Sequence, residues 1–544
     1  VKLDETCLLQ PVHVELSLIF NNIEAGGIGK CGNINIKAAS LSVTDGSSIQ
    51  AILGNADVEN NLPGGQGNLG NININVRDTV NIAGIKDGFS SDIFNSVGIG
   101  AIGNAGDINI NADSLSVAEG SEINAKTSGQ GNAGNININA RQNISLDGSG
   151  DVILSDRSNG ILFTRIINSV ESEAVGNAGN IQLNTGNLSV TNGAFISSGT
   201  SGKGDSGNIT INASDTISFD TNSYVESQIS TGAVGKGGDI RVKTGTITLT
   251  NGSQLSTSVV GEGNAGNIFV EARDGVKLDG FSSLQFNGEP FDKISGIDSD
   301  LVIGGVGKGG DIQITTKSLS ASNRASISAS SGGQGNAGNI TINVSDTATF
   351  DNLGNASSVF SSDGVGNGGT IRITAGELLL TNGGEISTNN IGQGNGGDIF
   401  LDVRDTISFD GVRNNGLPSA VTTFAFNGDS GNVDVKTSSL LLTNSAQIST
   451  IGFGEENNIA NGGDIKINAR DTIKLDGANT ALRSELLRGV GKGGDIQITT
   501  GSVFVTDGAY ISADTNGAGD AGNININARD TVTFDGITLS GRLR

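Results

Sequence analysis

One phrase returns along the whole chain with few deviations, such as Thr370 and Val433: Gly, then Asn or Asp, then Ile, any residue, and Ile, Val or Leu. Its glycine falls at positions 32, 70, 106, 134, 179, 207, 238, 266, 310, 338, 369, 397, 431, 463, 494 and 522, sixteen copies in 544 residues. Six of the fifteen intervals are 28 residues long, and they fall at alternate steps. Two unit types therefore alternate, a short one and a longer, more variable one. A unit this small cannot bury an apolar face alone, so neighbouring copies must complete one another's core.

Within a unit the apolar residues alternate with polar ones. In "GDIQITTGSVFVTDGAYISADTNGAGDA", from Gly494, Ile496 and Ile498 flank Gln497. Val503 and Val505 share a face before the turn Thr506-Asp507-Gly508, and Ile511 lies in a third segment. The longer unit opens alike: "GNININARDTVTFDG" from Gly522 places Ile524 and Ile526, then Val532 and Phe534, before Asp535-Gly536. Period-two alternation in short runs bounded by Gly, Asn and Asp predicts strands, about three per unit.

Stacking each unit on the next pairs every strand in parallel with its own copy. The expected fold is all-β: a right-handed, single-stranded parallel β-helix, a pectin-lyase-like solenoid of about sixteen coils. Handedness follows from the general preference of parallel β connections. Residues 26–544 are assigned to this helix. Residues 1–25 lack the repeat and form an atypical N-terminal segment, either a cap or an artefact of gene prediction. A propeller blade needs about 40–45 residues and four antiparallel strands, and no segment has helical periodicity.

Asn fills the second position of the phrase at Asn33, Asn71, Asn135, Asn180, Asn208, Asn267, Asn339, Asn432 and Asn523, and Asp at six others. Stacked amides suggest a hydrogen-bonded turn ladder. Stacked Asp would repel, and Asp464 over Asp495 is the one such pair in successive units.

Composition narrows the function. Lys and Arg number 32 against 56 Asp and Glu, a net charge of −24, so the basic footprint of a nucleic-acid binder is missing. No run of 18 apolar residues offers a membrane span. Leu8 to Phe20 is apolar but broken by Pro11, His13 and Glu15, which is no signal peptide. The chain begins with Val and its final repeat stops soon after Asp535, so it reads as a piece of a longer protein. Cys7 and Cys31 fit no zinc pattern; they are read as incidental thiols, with one bridge between them as the alternative.

The phrases "GNAGNININARDTVTFDG" and "GKGGDIQITTGSVFVTDGAYISA" resemble the repeat region of cyanobacterial filamentous-haemagglutinin-like exoproteins, the two-partner-secretion, S-layer-family type. The resemblance covers roughly residues 26–540. It implies export through an outer-membrane pore-type secretion partner and a secreted or surface-held adhesin. The function expected is that of a stalk, with surface glycans or other cells as partners, no cofactor and no catalysis. The secretion module of that family is not found in residues 1–25.

Two rivals follow from the fold class. A polysaccharide lyase or hydrolase needs clustered carboxylates in a groove. The many Asp instead recur in repeat slots, such as Asp78, Asp215 and Asp274, or Asp147, Asp220 and Asp279, and the sole histidine, His13, stands outside the repeat. A calcium-dependent surface-array protein is suggested by "GKGGD", yet the aliphatic residue that should fall two after Asp495 is replaced by Gln497. The Arg of "ARD" beside its Asp predicts exposed local ion pairs, each of small effect.

Recognition, if it resides in this chain, belongs in the insertions. The largest follow Gly148 and Gly280, and a third lies near "LPSAVTTFAF". Phe281, Phe286, Phe291, Phe424 and Phe426 are the candidate adhesive residues of these loops. The alternative is that the insertions fold back as extra strands over the core, since exposed Phe clusters favour aggregation.

Overall fold

The computed structural model describes residues 17–536, apart from 154–158, 287–288, 361–363, 414–415 and 456–457. Among the described residues every regular element is a strand, and all pairing between coils is parallel. One coil shows how the faces arise. Ile240–Thr250 is a long strand paired below with Ile209–Phe219 and above with Ile268–Asp279. Its register slips between Thr244 and Thr246, which bends it into a first and a second face. Gln254–Val259 then forms the third face, between Tyr224–Ile229 and Gly296–Leu301.

Sixteen third-face strands stack in one sheet, from Leu18–Phe20 to Tyr510–Thr515. At roughly 4.8 Å per step the sixteen coils make a rod on the order of 75 Å long. This is the parallel β-helix that the repeat demands. Leu18–Phe20 already pairs with Ser48, Ile49 and Gln50. The first rung thus lies inside residues 1–25, ahead of the first copy of the phrase.

Alternation sends every second side chain inward. Ile209, Ile240, Ile268 and Ile312 lie one above another, all buried. Each fully buried side chain contributes about 1.5–3 kcal/mol. Polar residues also stack inward, and one such column carries Asn168, Ser227 and Ser299. Asn168 Nδ2 donates to the Gly134 carbonyl while its Oδ1 accepts from Gly179 N–H at 2.8 Å. Ser227 and Ser299 accept likewise from Gly238 and Gly310. Buried polar groups must be paired, and this column pairs the backbone of the repeat glycines at the corner where coils pass closest.

The alternation of unit types has a structural cause. Longer coils carry two residues at the bend where shorter ones carry one: Arg141 and Gln142 lie between paired Ala140 and Asn143, but only Gly186 between Thr185 and Asn187. The Asp that ends a longer coil's second-face strand accepts from the coil above. Asp220 takes Thr250 Oγ1 at 2.6 Å and Asn251 Nδ2 at 2.7 Å, and Asp279, Asp351 and Asp410 are served likewise. Acceptor coils and donor coils must therefore take turns.

Candidate functional site

The asparagines of the phrase do form a ladder, but by a different bond from the expected one. Each coil's backbone N–H donates to the side-chain oxygen of the residue below: Asn71 to Asn33, Asn180 to Asn135 and Asn208 to Asn180, each at 2.9 Å. The slot asks only for an acceptor, so Asp serves equally, and Asp495 N–H donates to Asp464 at 2.8 Å. Repulsion between that stacked pair is offset by the intervening donor. Where Asn lies over Asp, as Asn135 over Asp107, its amide adds a second bond at 2.9 Å. Amide-to-amide ladders exist too, at positions that sequence reasoning missed: Asn35, Asn73, Asn109 and Asn137. All these side chains are occupied structurally. The expected surface pairs are present, Arg273 with Asp274 at 2.8 Å for one.

A loop closed by a bridge between Asp57 and Leu62 follows the third-face strand Ser48–Leu53, and four further insertions leave the rod at another corner, between the second and third faces. They follow Gly84, Gly148, Gly280 and Gly411, on the second, fourth, eighth and twelfth coils counted from Gly32. Three are antiparallel hairpins: Ile85–Lys86 with Phe89–Ser90, Ser149–Ile153 with Asn159–Phe163, and Phe281–Phe286 with Glu289–Ile294. The fourth closes through a bridge between Val412 and Pro418. Each neck is clamped by a fully buried hydroxyl, from Ser91, Thr164, Ser295 and Ser419. Thr164 Oγ1 donates to the Asp147 carbonyl at 2.9 Å and accepts from Gly120 N–H at 3.0 Å. Ser295 and Ser419 repeat this clamp. Thr480 makes the same clamp on a coil without a hairpin, so the hairpins replace a short turn and keep the corner's own bonds.

The candidate phenylalanines separate accordingly. Phe281 and Phe291 are on the third hairpin and exposed; the Arg324 guanidinium lies 4.5 Å over the Phe281 ring. The side chain of Phe286 lies outside the described residues, as do Cys7 and His13. Phe424 and Phe426 are not loop residues. They belong to Ala420–Phe426, a third-face strand of the rod, and Phe426 stacks on Phe453 at 5.3 Å. The loop expected there ends earlier, at the buried Ser419. Cys31 is half-buried, its thiol donating to the Asn21 carbonyl at 3.3 Å, and burial pushes its pKa up.

Two acidic groups that break the repeat emerge only in three dimensions. On the third face Asp92, Glu122 and Arg165 are register partners on successive coils. Arg165 Nε binds Glu122 Oε2 at 2.6 Å, and Ser48 hydrogen-bonds Asp92. They floor a cleft of about 450 Å³ between the first two hairpins, walled by Leu18, Phe89, Ile161 and Phe163. Further along, Glu226 and Asp298 face the third hairpin, and Asp300 bonds Ser330 N–H of the coil above. Lys293 of that hairpin reaches back to the Asn222 carbonyl at 3.1 Å and lies 4.5 Å over Tyr224. Burial pushes all three of those carboxyls up, and the Lys293 ammonium down. Among the described residues no group of three or more His, Cys, Asp or Glu is placed to hold a metal ion.

Burial pushes the Asp92 carboxyl up to about 7, opposed by the Ser48 hydrogen bond and reinforced by Glu122. The native state then keeps a proton that the unfolded chain loses near pH 4. Stability from this site is full below that pH and falls as pH rises to about 7. Asp92→Asn is therefore expected to raise the melting temperature at pH 8 and to leave it unchanged at pH 4. The gain is at most about 4 kcal/mol, and less where water reaches the carboxyl. An equal shift at both pH values would show that Asp92 is not held protonated.

The sequence matches no known protein family, and no curated protein is a detectable relative.

Proposed function

We propose that this chain is the rod of a secreted, surface-exposed adhesin of the filamentous-haemagglutinin-like, cyanobacterial two-partner-secretion type. Its role is structural and adhesive, and its export uses an outer-membrane pore-type partner. The observation that supports this reading best is the row of neck-clamped hairpins along one corner of an uninterrupted parallel ladder. A stiff rod carrying lateral excursions on one side suits presentation of contact points away from a surface. Its acidity keeps such a filament soluble.

Antibodies raised against the purified rod should label intact source cells, and external protease should remove the label. Labelling that appears only after permeabilisation would refute the surface reading.

A carbohydrate-active enzyme is the second reading. Asp92, Glu122 and Arg165 favour it, because they are clustered, lie in a cleft and break the repeat. Two neighbouring carboxyls, one of them pushed up by burial, are the usual equipment for glycosidic chemistry.

A further inference from the structure

We infer that the cleft between the first two hairpins binds a single neutral pyranose ring of a glycan, its walls packing on the ring and its polar floor holding the hydroxyls. This deepens the adhesin reading by naming the ligand class and the place of contact.

The size of the cleft comes first. Its two hairpins spring from the second and fourth coils and touch at their roots, where Ile85 of the first packs on Gly150 of the second. The open space is therefore limited to the cleft itself, which suits a ligand no larger than one saturated ring. The volume of about 450 Å³ is in keeping with this, being at the small end of ligand sites.

The walls and floor differ in chemistry. Phe89, Ile161 and Phe163 are 49 %, 57 % and 48 % exposed although each is apolar. All three border the same cleft, and the Phe163 ring also tilts against Phe195, with centroids 6.5 Å apart. The floor offers donors and acceptors side by side: the Ser48 hydroxyl, the Gln50 amide, the Asp92 and Glu122 carboxyls and the Arg165 guanidinium. A sugar presents apolar C–H faces and hydroxyls that each donate and accept, which matches such a lining.

Charge selects the kind of sugar. Arg165 neutralises Glu122 by direct contact. Burial favours the protonated form of Asp92 up to about pH 7, so below that pH the floor holds little net charge. The chain as a whole carries −24. Uronates and phosphorylated ligands are disfavoured by that field.

The test is saturation-transfer NMR on the full chain, using methyl glycosides of glucose, galactose, mannose and N-acetylglucosamine, with methyl glucuronide as the anionic control. Transfer to the ring protons of at least one neutral glycoside is expected. It should weaken by about fivefold or more in Phe163→Ala, as loss of an aromatic contact implies. Phe281→Ala, on the third hairpin, should leave it unchanged. Circular dichroism melting confirms that each variant is folded, and Asp92→Asn supplies a second probe from the floor. No transfer to any neutral glycoside, preference for the glucuronide, or transfer unaltered in both Phe163→Ala and Asp92→Asn would overturn the assignment. Since binding is measured on purified protein, it stands or falls separately from the cell-labelling experiment.

Discussion

Gly238→Ala is expected to destabilise the rod by more than about 3 kcal/mol, beyond the usual range for overpacking. The methyl group would lie 2.0 Å from the Gly207 carbonyl oxygen and 2.4 Å from its carbon. Both are backbone atoms of the coil below, so no side chain can swing aside. The same backbone is anchored by the bond from Gly238 N–H to Ser227 Oγ at 2.9 Å. Relief requires the two coils to part, which breaks parallel ladder bonds on either side. Gly232 is the control. Its φ of +78° disfavours alanine, but nothing lies within 4 Å of the added carbon. Gly232→Ala should therefore cost only about 1–2 kcal/mol. Chemical denaturation of the two variants, with limited proteolysis to find where the rod opens, separates steric clash from backbone preference. Equal losses would mean that the coils are not in contact at the repeat glycine.

Phe350→Ala is expected to cost about 3–5 kcal/mol, as for other fully buried aromatics. What makes this site informative is its surroundings. Phe350 is fully buried over Ala321, and its own coil contributes Ala348 and Ala356, also fully buried. In the coils below and above, the places of these two alanines are held by Leu319 and Leu378, and by Ile327 and Ile386. The large ring and the two small residues thus share one fixed cross-section. Ala356→Ile alone should overpack and destabilise, whereas added to Phe350→Ala it should restore about 1–3 kcal/mol. That reversal of sign, read from denaturation midpoints, is the signature of a shared cavity. Additive losses would place the two side chains in separate parts of the core.

These outcomes bear on how much of the molecule can be read before its coordinates. The Ile columns are legible because period-two alternation and a recurring phrase both report the same inward face. The bond at Asn33 and its relatives is less so, since composition shows an amide but not that a backbone N–H will be its donor. Sequence alone places the phenylalanines at 424 and 426 in a loop, because the point where an excursion rejoins the coil is marked only by one hydroxyl residue, Ser419, among many. The cleft floor was not legible at all. Glu122 and Arg165 are 43 residues apart in the chain, and they meet only because the hairpin between them leaves and returns at one neck. Clustered carboxylates that break the repeat are therefore invisible until third-face register is known.

The pairing of acceptor coils with donor coils has a consequence for the history of such rods. Excising the single lap from Gly238 to Ala265 would set Asp279 directly over Asp220, carboxylate facing carboxylate, with the Thr250 and Asn251 donors gone. Two laps can be lost or duplicated together without that conflict. Length in this lineage of sequences should change by twos, in increments of about 10 Å, and a genome recording an odd count would carry a repaired joint where the mismatch fell.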